Sequence, residues 1–113
     1  MFEEEWFLYL GGESNKRVRE FLKDKDVLAF VDFDFFGISI FENLSCNTKK
    51  LFLPPNLEEL IVKYGSVDLY EEQRFKASKL KLDTFESEKL FNLIMKHSKC
   101  LEQEILDENK RCN

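Results

Sequence analysis

Glycine and proline are scarce in this chain of 113 residues, with four copies of one and two of the other. Gly11 and Gly12 are adjacent, but no Gly-Lys-Ser/Thr follows them, so a P-loop is excluded. Histidine is scarcer still. His97 stands alone, no local pattern supports a Ser-His-Asp or Cys-His arrangement, and with Cys100 it offers two ligands where zinc needs four. The cysteines, Cys46, Cys100 and Cys112, are odd in number and contain no C-x-x-C pair. That argues against a disulfide framework and points to a reducing, cytoplasmic setting. No apolar run approaches the ~20 residues that span a bilayer, so no membrane partner is expected. Met1 is followed by Phe2 and three glutamates, the wrong charge for a signal peptide. Positive charge is in short supply: 17 Lys and Arg face 22 Asp and Glu, for a net −5. Affinity for nucleic acid comes largely from Lys and Arg. Any DNA bound here must be gripped by a local basic patch, a partner, or a region not in this chain.

What is abundant is apolar and aromatic. Hydrophobic residues make up 43% of the chain and phenylalanine alone has 12 copies, which suits one globular domain with an aromatic-rich core. The sequence is organised around residues 27–41. Val27, Leu28, Ala29, Phe30 and Val31 read as a strand buried on both faces, as in the centre of a parallel sheet. Asp32 and Asp34 follow at its carboxyl end, then Gly37 and a second apolar segment. In extended chain, side chains two apart point the same way, so the two carboxylates can lie roughly 7 Å apart at about 3.3 Å per residue. Ligands of open α/β sheets bind beyond the carboxyl ends of strands. Two acids held there repel unless a proton or cation lies between them, and Mg²⁺ or Mn²⁺ is the natural hard cation. The competing reading makes Asp34 the cap of the next helix and Asp32 a solvated acid.

Upstream, residues 6–10 read as a strand ending at the Gly11–Gly12 turn. A helix over 17–23 carries Val18, Phe21 and Leu22 on one face. Strand, helix and strand make a βαβ unit, which places Gly11, Gly12 and Glu13 at the same sheet edge as the acid pair. Gly11 and Gly12 either make a turn or let backbone approach a phosphate. Glu13 either joins the acids or sits in solvent near a helix start. Downstream, residues 50–53 suggest a third strand ended by Pro54 and Pro55. Asn56 with Glu59 resembles a capping box opening a helix that stops at Gly65. Further helices are expected at 69–80, from Asp83 with an apolar face of Phe85, Leu90, Phe91, Ile94 and Met95, and over 100–108. The expected fold class is α/β with a helical carboxyl-terminal half.

Val31, Asp32, Phe33 and Asp34, then Gly37, Ile38, Ser39 and Ile40, resemble the Asp-x-Asp-Pro-x-Gly-x-x-Ile segment of Toprim domains. The likeness is greatest to the branch of topoisomerase VI A subunits, their meiotic double-strand-break relatives and the nuclease subunit of the Wadjet plasmid-defence system. Residues 8–13, Leu53 to Leu57 with Lys63 to Gly65, and the Leu-Glu-Gln-Glu of 101–104 add to it. The resemblance implies a small Rossmann-like parallel sheet flanked by helices, one Toprim-like domain over 1–113. It makes Asp32 and Asp34 ligands of Mg²⁺ or Mn²⁺, gives Gly37 the close turn into the helix, and makes Glu104, with Glu102 beside it, a carboxyl-end acid. The implied activity is metal-dependent nicking or cleavage of DNA, within a larger DNA-processing or plasmid- and phage-defence assembly.

Two departures stand out. Phe35 and Phe36 occupy positions where the family has Pro or small residues. The family's glutamate on an earlier strand has no counterpart, since Glu13 falls on what resembles the second strand; the first strand is expected to be missing. An inactive Toprim-like module that holds a partner protein or a second copy is therefore the competing function. A nucleotide site at Gly11 and Gly12 is a third.

Overall fold

In the computed structural model, residues 6–9 and 16–102 are described. Gly11, Gly12, Glu13 and Glu104 lie outside them. The sheet has three parallel strands: β1 (Trp6–Tyr9), β2 (Asp26–Ala29) and β3 (Thr48–Leu51), in the order β1-β2-β3. β2 is the central strand, as its apolar run implies. Val27 and Ala29 are buried completely. Trp6 pairs with Asp26 on one side of the sheet, and Asp26 with Thr48 on the other. Both ladders continue one step beyond β2, through Phe30 N–H to Tyr9 O (2.7 Å) and Phe52 N–H to Ala29 O (2.9 Å). The rings of Phe30 and Phe52 stack there, 4.9 Å apart.

The helices are α1 (Lys16–Leu22), α2 (Phe35–Glu42), α3 (Leu57–Tyr64), α4 (Val67–Gln73) and α5 (Phe85–His97), with a 3-10 helix over Arg74–Lys79. The expected helix over 69–80 is thus two pieces, and the third strand begins at Thr48 rather than Lys50. Asn56 makes no side-chain cap to α3, unlike Ser66 and Thr84, which accept from Leu69 N–H and Ser87 N–H. Thr84, not Asp83, therefore starts α5. Its inner face is Leu90 and Ile94, both at 0% exposure, whereas Phe85 is 77% exposed. Phe85 lies in the first turn and faces outward, although Thr84 before it donates to Glu42 at the end of α2 (3.1 Å).

Phe33, Phe35 and Phe41 are wholly buried with Ile38, Ile61 and Leu101, so the core is aromatic-rich at its centre. Phe35 touches both Tyr70 and Phe91, each at 5.8 Å between ring centroids. Lys49 on β3 donates to the carbonyls of Phe41, Glu42 and Leu44, at the negative dipole end of α2.

The end of the described chain departs from expectation. Residues 100–102 do not begin a helix. Ser98 takes a left-handed φ of 53°, and the chain turns back so that Cys100 pairs antiparallel with Ser66 and Leu101 with Phe33. Cys100 and Leu101, expected to open a helix, instead insert as a buried ribbon, each at 0% exposure.

Candidate functional site

The site sits just past the carboxyl end of β2. The chain there alternates. Val31 and Phe33 enter the core, and Asp32 between them is exposed. Asp34 then turns inward and is only 4% exposed. It is the N-cap of α2, with extended backbone, and its Oδ1 accepts from Gly37 N–H at 2.6 Å. The cap satisfies one of the amides that a helix start leaves without a partner.

Gly37 lies within the first turn of α2. A Cβ on it would collide with the carbonyl oxygen of Asp32 and crowd Val31 Cγ2 at 3.1 Å. The glycine is needed for this close approach of the Asp32 backbone, and that approach brings the acid-bearing segment onto the helix.

A second amide reaches Asp34 from far along the chain. Gln73 Nε2 donates to Asp34 Oδ2 at 3.2 Å, and Gln73 Oε1 accepts from Phe36 N–H at 3.2 Å. Gln73 is 5% exposed and spends both ends of its amide on this one turn. Nothing in the sequence marks it. It reads as an ordinary polar residue on a helix, and only the packing of α4 against the start of α2 gives it a role.

The Phe33–Leu101 bridge brings a third acid. Both its hydrogen bonds are present, Phe33 N–H to Leu101 O (2.8 Å) and Leu101 N–H to Phe33 O (2.9 Å). Continuing the antiparallel register by one residue sets Glu102 across from Asp32. Asp32, Asp34 and Glu102, spread over 70 positions of sequence, therefore meet at one edge.

Electrostatics follow from this packing. Burial raises the Asp34 carboxyl above its ordinary pKa. The Gly37 and Gln73 hydrogen bonds oppose the rise, and the neighbouring charges of Asp32 and Glu102 add to it. Burial, with Asp34 nearby, also pushes the Cys100 thiol up to about 12, which leaves it an inert core group rather than a nucleophile or metal ligand. His97 lies apart from this edge. Its Nε2 is 2.8 Å from Glu58 Oε2, which also accepts from Lys96 at 2.8 Å. These bonds, Lys96 first, hold Glu58 below the usual carboxylate range, and they join α3 to α5.

Among the described residues, no three His, Cys, Asp or Glu side chains are grouped so as to hold a metal ion. The donor chemistry of the edge is nonetheless all carboxylate oxygen, which suits a hard cation. Asp32 and Glu102 are exposed, and each Asp34 oxygen accepts one amide hydrogen. Among the same residues, no helix is long and apolar enough to cross a membrane.

Residues 3–110 match the family described as "Domain of unknown function (DUF7281)". The chain belongs to that family. Comparison with curated proteins and with solved structures gives no match.

Proposed function

We propose that this chain is a Toprim-like module for divalent-metal-dependent cleavage or nicking of DNA, working within a larger DNA-processing or defence assembly. One observation carries the reading. The Leu-Glu-Gln-Glu segment and the Asp-x-Asp segment each resemble Toprim site elements in sequence, and the Phe33–Leu101 bridge sets the first acid of one against the first acid of the other. Asp32 and Glu102 would hold Mg²⁺ or Mn²⁺ at the exposed rim. Asp34, pinned by Gly37 and Gln73, would fix the position of the Asp32 backbone and add negative potential from behind. Glu104 and Glu13 remain the further candidate acids. The metal would supply charge neutralisation at a phosphodiester. The net charge of −5 requires that phosphates be gripped locally or by a partner.

The test is calorimetric titration with Mn²⁺, together with nicking of supercoiled plasmid. Both signals are expected from the intact chain with its partners, and both should vanish in a double variant carrying Asp32→Asn and Glu102→Gln. A flat titration at millimolar metal with intact plasmid would overturn the proposal.

A second reading rests on Asp34 itself. Its carboxylate is fully explained as a helix cap bonded to Gln73, with no ion required. An inactive module that binds a partner protein or a second copy would keep that cap. It predicts a stable assembly by light scattering and no plasmid nicking.

A further inference from the structure

The overall acidity of the chain conceals one basic stretch. Residues 74–82 carry Arg74, Lys76, Lys79 and Lys81 and no acid at all. Arg74 is paired with Glu71 at 3.2 Å, and Lys76 and Lys79 are the cations that lie by exposed rings. The stretch opens with the 3-10 helix Arg74–Lys79. Its tight winding turns Phe75 outward, 60% exposed, and Phe36 from the first turn of α2 is 44% exposed beside it. Single exposed apolar residues are ordinary on a protein surface. These two are not independent. The Lys76 ammonium lies 4.3 Å from the centre of the Phe36 ring and 5.9 Å from that of Phe75, and Lys79 lies 6.0 Å from Phe75. Two open rings therefore share one cation, with a second beside them.

The position of this shelf is fixed. Gln73, the residue before the 3-10 helix, binds both Asp34 and the Phe36 backbone. The rings and lysines are thus anchored to the same turn that carries the acid edge.

We infer that Phe36, Phe75, Lys76 and Lys79 form a binding shelf for unpaired nucleic acid, with bases stacking on the rings and phosphates meeting the ammonium groups. Rings interleaved with cations are what a flexible single strand needs. Its bases present open faces to aromatic side chains, while its backbone follows positive charge. In a duplex the faces are already stacked and the rings would have nothing to cover. The inference deepens the nucleic-acid reading above and rests on it for the class of ligand, but it needs no metal.

The experiment is fluorescence anisotropy of labelled oligo-dT and of a duplex of equal length, with the intact chain in EDTA. Oligo-dT is expected to bind more tightly than the duplex. Phe75→Ala should weaken binding by about tenfold, within the range for loss of one stacked base, and Phe75→Trp should restore it with quenched indole fluorescence. A K76E/K79E double variant should flatten the dependence of log affinity on log salt by more than one unit, since each single-strand phosphate contact contributes about 0.7. If the lysine stems merely shield the rings, Phe75→Ala leaves the titration unchanged, which overturns the inference. Absence of oligo-dT binding, or a preference for duplex, overturns it as well. So does light scattering that shows a dimer dissociated by Phe75→Ala, because the face then belongs to a second copy. The double variant of Asp32 and Glu102 should lose nicking and keep oligo-dT binding, since the shelf needs no metal. An unmodified chain that binds oligo-dT but does not nick plasmid removes the metal reading alone, and an unmodified chain that nicks plasmid but does not bind oligo-dT removes the shelf alone.

Discussion

Gln73 Nε2 donates to Asp34 Oδ2 across 3.2 Å, joining the last residue of α4 to the cap of α2 over 39 positions of sequence. Both side chains are buried, so each partner is costly to leave unpaired. Replacing Gln73 with Leu should destabilise the chain by about 1–3 kcal/mol, the usual cost of an unsatisfied buried polar group, measured by urea unfolding. Two groups, the Asp34 carboxyl and the Phe36 N–H, lose a partner at once. A change below about 0.5 kcal/mol would mean that water replaces the amide fully.

The pH dependence of stability follows from the raised pKa of Asp34. For a carboxyl whose folded pKa lies above its unfolded value, the native state holds more protons than the unfolded state between the two. Stability then falls as pH rises through that window. The window opens near the unfolded value, about 3.9, and extends upward. Asp34→Asn keeps a good cap and removes the titration. Relative to wild type, its stability should improve as pH climbs from about 4 toward 7, followed by urea midpoints across that range. A constant difference between the two proteins would show that Asp34 ionises in the fold as easily as outside it.

Gly37→Ala gives the sharpest contrast between propensity and packing. In an open helix the change would stabilise by roughly 0.5–1 kcal/mol. Here the new Cβ meets the Asp32 carbonyl oxygen, a backbone atom that cannot swing aside. We expect a loss of about 1–3 kcal/mol, as for overpacked sites, with a drop in melting temperature. Gain of stability would mean that the Asp32 turn can retreat from α2.

Much of the local structure was legible. The apolar run at 27–31 reads as an interior strand because it offers no polar face to water, and β2 is the centre of the sheet, although it spans Asp26–Ala29 and leaves Leu28 half-buried. The cap at Asp34 was legible as an alternative, since a short acid before an apolar helix has that chemistry whatever surrounds it. The boundaries were less secure. A helical apolar pattern over 69–80 does not reveal that the backbone tightens into a 3-10 turn at Arg74. Leu101 looked helical because Ile105 follows it at helical spacing, yet it pairs with Phe33 as a strand does. The family resemblance selected both acid-bearing segments without saying how they meet.

The sequence by itself determined the strand and helix order around the acid pair and the apolar character of the core. These follow from residue types and short-range periodicity. Only the tertiary structure decided that Asp34 is buried and bonded to Gln73, that Glu102 stands across from Asp32, and that Phe36 and Phe75 share the Lys76 cation. Each is a pairing over 37 or more positions. The physical reason is that hydrogen bonds and burial at such separations depend on how whole elements pack, which no local pattern encodes.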